Sequence, residues 1–85
     1  MTNYSNLCSD DLDLYMIRNI IRKGTRRYGG VDFYDLLSTV RELYSGINVT
    51  SDLLRESLEF MHDYGFGIIF NGATAYYDYE YDYAA

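Results

Sequence analysis

The stretch "VTSDLLRESLEFMHDYGFGIIF", residues 49–70, changes its period partway through. Up to Tyr64 the apolar residues Leu53, Leu54, Leu58, Phe60 and Met61 recur at the three-to-four-residue spacing of an amphipathic helix. Thr50 or Ser51 precedes the run as a cap, with a hydroxyl that accepts a bond from an otherwise unpaired N–H of the first turn. Gly65 stops the helix, and "FGIIF" follows directly as a short strand. The "NG" at Asn71-Gly72 predicts a two-residue type I′ turn, pairing Phe70 with Ala73, Ile68 with Ala75 and Phe66 with Tyr77. The return strand is "ATAYYDYEYDY", whose residues beyond Tyr77 overhang the hairpin and need another partner, such as a segment near Val31.

Working back from residue 49, "SGINV" is a turn, and "FYDLLSTVRELY" reads as a second helix capped by Asp32. Its apolar positions are Phe33, Leu36, Leu37, Val40, Leu43 and Tyr44. Gly29-Gly30 breaks the chain before it, and Val31 is placed to add a short piece of strand. The first helix starts near "SDDLDLYMIRNIIRK", capped by Ser9 or Asp10. Asp10, Asp11 and Asp13 fall in its first turn, where the helix dipole favours negative charge. Leu14, Met16, Ile17, Ile20 and Ile21 form its apolar side, and Gly24 is the expected stop, with "TRR" able to add a further turn. Residues 1–8 read as a flexible arm and residues 9–83 as a single domain.

The order is helix, short strand, helix, turn, helix, β-hairpin, an α+β chain of three helices followed by a C-terminal hairpin wing. It resembles the winged helix-turn-helix family over roughly Leu12 to Tyr81, in an acidic variant similar to small virus-encoded proteins. The resemblance implies a third helix that lies in the DNA major groove and a wing that touches the backbone. Carried onto this chain, the groove-facing side would be Ser51, Asp52, Arg55, Glu56, Glu59, His62 and Asp63, with four acids against one arginine. Phosphate repels such a face, and no lysine or arginine follows Arg55 to serve the wing. The resemblance therefore implies the fold and undercuts the family's common use of it.

Composition points the same way. The chain of 85 residues has a formal net charge of −6 and 48% hydrophobic residues, enough for a globule but not for an electrostatic DNA binder unless its cations are concentrated. Five of the seven cations do lie together, as Arg18, Arg22, Lys23, Arg26 and Arg27. With Arg55 they form the alternative nucleic-acid site of a transcription regulator. They are equally suited to complementing a helix C-terminus, covering apolar surface with their stems, or neutralising the chain's own acidic tail.

That tail, residues 76–83, holds five tyrosines and three acids. On a strand, Tyr77, Tyr79, Tyr81 and Tyr83 would share one face, and Tyr76, Asp78, Glu80 and Asp82 the other. Alternate carboxylates would then lie about 6.6 Å apart, close to two steps of a duplex strand at roughly 3.4 Å each. Tyrosine supplies rigid contact area at low entropy cost. An ordinary amphipathic edge strand with tyrosine inward and acid outward has the same pattern.

Catalysis is argued against by a single histidine, His62, and a single cysteine, Cys8, and by carboxylates with no reason for a raised pKa. No motif implies a cofactor or a metal. Neither a basic-then-apolar leader nor a membrane-length apolar run is visible, so a cytoplasmic location is expected, the host's if the chain is viral, and no membrane partner. The sequence thus points to a non-enzymatic protein that binds a protein partner through Tyr76, Asp78, Tyr79, Glu80, Tyr81 and Asp82, with Asp52, Glu56 and Glu59 contributing. A partner that itself binds nucleic acid would make this protein its competitor. The alternatives are DNA binding through the Arg18–Arg27 cluster and a homodimer closed by the overhanging strand.

Overall fold

A computed structural model describes residues 9–80. The expected arm at 1–8 and the positions of Tyr81, Asp82 and Tyr83 lie outside the described residues. So do the side chains of residues 9–12, including the cap expected at Ser9 or Asp10. The elements are α1 (Ser9–Tyr28), β1 (Gly30–Asp32), α2 (Phe33–Leu43), α3 (Ser51–Asp63), β2 (Ile68–Phe70) and β3 (Thr74–Tyr77). The strands form one antiparallel sheet in the order β1-β3-β2, which gives the α+β, winged-helix-like arrangement expected from the sequence. No helix among the described residues is long and apolar enough to cross a membrane.

The helices begin where side-chain oxygens replace missing backbone partners. Asp32 accepts from the Tyr34 N–H at 3.0 Å, and Thr50 accepts from the Leu53 N–H at 3.1 Å. The apolar stripes that follow close one core, made of Ile17 and Ile21 from α1, Phe33, Leu36, Leu37 and Val40 from α2, and Leu54, Leu58 and Met61 from α3. Ile68, Phe70 and Ala75 cover it from the sheet. Leu43 and Met16 were expected inward but are exposed, Leu43 at 65%. Each lies at the margin of its helix's apolar stripe.

Helix α1 runs through Gly24 rather than stopping there. A Cβ at Gly24 would sit 3.7 Å from Leu36 Cδ1, an ordinary van der Waals contact, so α1 packs toward α2 here without needing the glycine. The actual stop is Gly29, whose φ of 81° is the left-handed conformation suited to a residue just past a helix. Its N–H donates to Thr25 O at 2.7 Å.

The hairpin register also differs from expectation. Phe70 pairs with Ala75, Ile69 with Tyr76 and Ile68 with Tyr77, so four residues instead of two separate the last pair of the β2–β3 ladder. Asn71 does not adopt the positive φ of a type I′ turn; only Gly72 does, at 94°. The Asn71 Oδ1 instead accepts from the N–H groups of both Ala73 and Thr74, at 2.9 and 2.8 Å. That side-chain closure competes with the backbone turn and wins. The slip is by two residues, so every side chain keeps its expected face. The Val31 segment forms a short strand as expected, but it pairs within the hairpin, through Gly30–Tyr76, Val31–Ala75 and Asp32–Thr74, and not with the residues beyond Tyr77.

Candidate functional site

Helix α3 buries Leu54, Ser57, Leu58 and Met61 and leaves Asp52, Glu56, Glu59 and Asp63 exposed. Steps of four, three and four residues set these acids in one stripe. Like charges at such spacing each cost the helix a few tenths of a kcal/mol, or about that. The stripe is therefore sustained by the buried face and not by its own chemistry.

Arg55, the one cation expected on this face, is half-buried, its head folded toward the hairpin. Its guanidinium lies 4.4 Å from the Phe33 ring centroid and 5.9 Å from that of Phe70, and Nη1 donates to Gly72 O at 2.9 Å. The arginine ties the hairpin turn to α3 and leaves a surface of carboxylates. His62 is exposed as expected, yet its Nδ1 accepts a long bond of 3.4 Å from the Phe70 N–H.

The expected acidic strand does not continue past Tyr77, which corrects the alternation of residues 78–80. Strand β3 has three-residue neighbours on both sides, and they run out opposite Tyr76 and Tyr77. The Tyr77 and Asp78 N–H groups donate to Gly29 O and Gly67 O. The Asp78 carboxylate then accepts from the Glu80 N–H at 3.1 Å and starts a helical turn. Tyr79 folds back, its ring 4.7 Å from that of Tyr77 and its hydroxyl donating to Arg26 O at 3.4 Å. Tyr76 stays on the outer sheet face, 41% exposed, across Gly30, where an added Cβ would meet its ring at 2.7 Å. The candidate partner-binding residues thus divide among three places: Asp52, Glu56 and Glu59 on α3, Tyr76 on the sheet, and Asp78, Tyr79 and Glu80 in a turn against α1. The 6.6 Å strand spacing does not apply to them.

The basic cluster is distributed as well. Because α1 continues to Tyr28, Arg18, Arg22 and Arg26 do form one stripe, but it faces aromatic rings. Arg18 lies over Phe60 at 4.3 Å, Arg22 over Tyr77 at 4.7 Å, and Arg26 6.0 Å from Tyr77. Gly67, with φ 83°, makes room for Arg22, whose Nε would be 2.7 Å from a Cβ there. Arg27 lies 5.6 Å from the exposed ring of Tyr28. Lys23, Arg26 and Arg27 are exposed.

Two features were not foreseen from the sequence. Asp13, read as a dipole partner, is buried and accepts from the Tyr44 hydroxyl. That bond, with desolvation second, holds the Tyr44 phenol above the usual tyrosine range. The signal was Asp13 sitting one turn before Ile17, on the buried side. The second is the aromatic group at the α3–β2 link, where Phe60 stacks on Phe66 at 5.5 Å and meets Tyr64 at 4.7 Å. Comparison with family models, with curated proteins and with solved structures finds no match.

Proposed function

We propose that this chain is a non-enzymatic, winged-helix-like binding protein whose acidic α3 face engages a cationic protein surface, such as the basic site of a nucleic-acid-binding protein. The observation that carries this is the stripe Asp52, Glu56, Glu59 and Asp63, from which Arg55 has been withdrawn to Phe33 and Gly72. Four charges over eleven residues of rise give one per about 5.5 Å of helix axis, sparser than the roughly 3.4 Å of a DNA strand. Charge sign and steering thus carry the reading, and atom-for-atom imitation of a phosphate track does not. Loss of the extended strand shifts the candidate surface from the C-terminal residues toward α3, with Tyr76 and Glu80 as exposed additions.

DNA binding through α1 has one observation in its favour, the exposed Lys23, Arg26 and Arg27. Against it, Arg18 and Arg22 are laid on aromatic faces.

The test is comparative affinity capture with wild-type protein and the triple variant D52N/E56Q/E59Q, read by quantitative mass spectrometry. The proposal expects a basic protein that elutes with salt from wild type and is missing from the variant. An identical capture from both would refute it.

A further inference from the structure

Strand β2 lies at an edge of the sheet, with β3 on one side and α3 packed against it. Gly67 O accepts from the Asp78 N–H, and the Asn71 N–H donates to Thr74 O, so these residues turn their backbone groups toward β3. Ile68 and Phe70 alternate with them and turn theirs outward. An outward N–H on an edge strand needs a cover, or it offers itself to another strand. Here the cover is a side chain of α3. The Phe70 N–H, on a residue only 7% exposed, donates to His62 Nδ1 at 3.4 Å.

His62 is the chain's one histidine, and histidine is the side chain whose charge ordinarily changes between about pH 5 and 8. A neutral ring offers one nitrogen as an acceptor, whereas the imidazolium has two donors and no acceptor. A proton and the Phe70 N–H therefore compete for the same lone pair on Nδ1. His62 stands in the last turn of α3, one turn after Glu59 and beside Asp63. The helix end and both carboxylates favour a positive charge there, while the Phe70 bond favours the neutral ring. Strand β2 brings no charged side chain to the histidine. Arg55 of the same helix is held at Gly72 O, and Arg18, which α1 lays against α3, lies over Phe60.

We infer that His62 is a proton-sensitive latch between α3 and β2. Neutral, it covers the Phe70 N–H and holds the first strand of the wing to the helix. Protonated, it can only donate, so it releases the strand edge and adds a cation to the acidic end of α3. A weakening of partner docking in acid would rest on the reading of α3 as the docking face; the latch itself does not, and its test needs no partner.

The test is amide exchange followed by NMR on the full isotope-labelled chain at about pH 7.5 and about pH 5.5, each rate divided by that of an unstructured amide at the same pH. Protection of the Phe70 amide should fall about two- to fivefold at the lower pH, the worth of one weak hydrogen bond, in step with the titration of the His62 ring protons. The Tyr77 amide, which donates to Gly29 O, should hold its protection. His62→Gln and His62→Ala should each remove the pH dependence at Phe70, and the alanine variant should stay at the low-pH value throughout. Constant Phe70 protection in wild type overturns the inference. So does a fall that persists in both variants, or one that Tyr77 shares, which would mark a general loosening of the sheet.

Discussion

Arg55→Ala tests whether the arginine of α3 is a structural tie or a free surface cation. In the structure its guanidinium stacks on Phe33 at 4.4 Å and donates to Gly72 O at 2.9 Å. The stacking is worth about 1 kcal/mol at a half-exposed site. The bond joins a charged donor to a carbonyl in an exposed turn, so it belongs at the low end of its range, about 0.5–1 kcal/mol. Truncation should therefore cost roughly 1.5–2 kcal/mol, which in a domain of this size lowers Tm by roughly 6–16 °C. Thermal melts followed by far-ultraviolet circular dichroism read this directly. Arg55→Met keeps the stem over Phe33 and should recover part of the loss. Hydrogen exchange should show faster opening of the Ala73 and Thr74 amides in both variants. A melting temperature within about 2 °C of wild type, with unchanged exchange, would mean that Arg55 is free in solution. The outward face of α3 would then regain its cation.

Three further outcomes follow from the same contacts. Asn71→Gly would be harmless in a type I′ turn, but here it removes the acceptor for two N–H groups and should cost about 1–2 kcal/mol in urea unfolding. Ser57→Ala deletes a buried hydroxyl with no partner among the described residues and should be neutral or stabilising by up to about 1 kcal/mol; a clear loss would show a missed hydrogen bond. Tyr44 holds its proton more tightly in the folded than in the unfolded chain, because its hydroxyl donates to Asp13. Its contribution is complete below the ordinary tyrosine pKa and is lost as pH rises through the raised value. Unfolding titrations across the alkaline range should therefore fall more steeply for wild type than for Tyr44→Phe, and parallel curves would contradict the Asp13 contact.

Local pattern made much of this fold legible. The spacing of Ile17 and Ile21, of Leu36, Leu37 and Val40, and of Leu54, Leu58 and Met61 named the core because a helix can bury only one stripe. Asp32 and Thr50 were readable as caps because capping needs one short oxygen at one position. Gly24 misled because a glycine carried inside a helix looks in sequence like a glycine that ends one. Asn71 misled because the same two letters serve a backbone turn and a side-chain-closed one. The surface was less legible. Whether Arg18, Arg22 and Arg55 meet solvent depends on where Phe60, Tyr77 and Phe33 arrive from other elements. The alternation of residues 76–83 had the period of a strand, but the strand stops where its three-residue neighbours stop, and Asp78 then turns the chain.

Fluorescence anisotropy of a labelled random-sequence duplex, titrated with the protein at about 50 and 200 mM salt, bears most directly on the acidic α3 face. A helix that presents Asp52, Glu56, Glu59 and Asp63 repels phosphate, so both titrations should be flat. Binding at the lower salt that weakens by orders of magnitude at the higher would show several phosphate contacts. That result would contradict the protein-binding function and make Lys23, Arg26 and Arg27 the site.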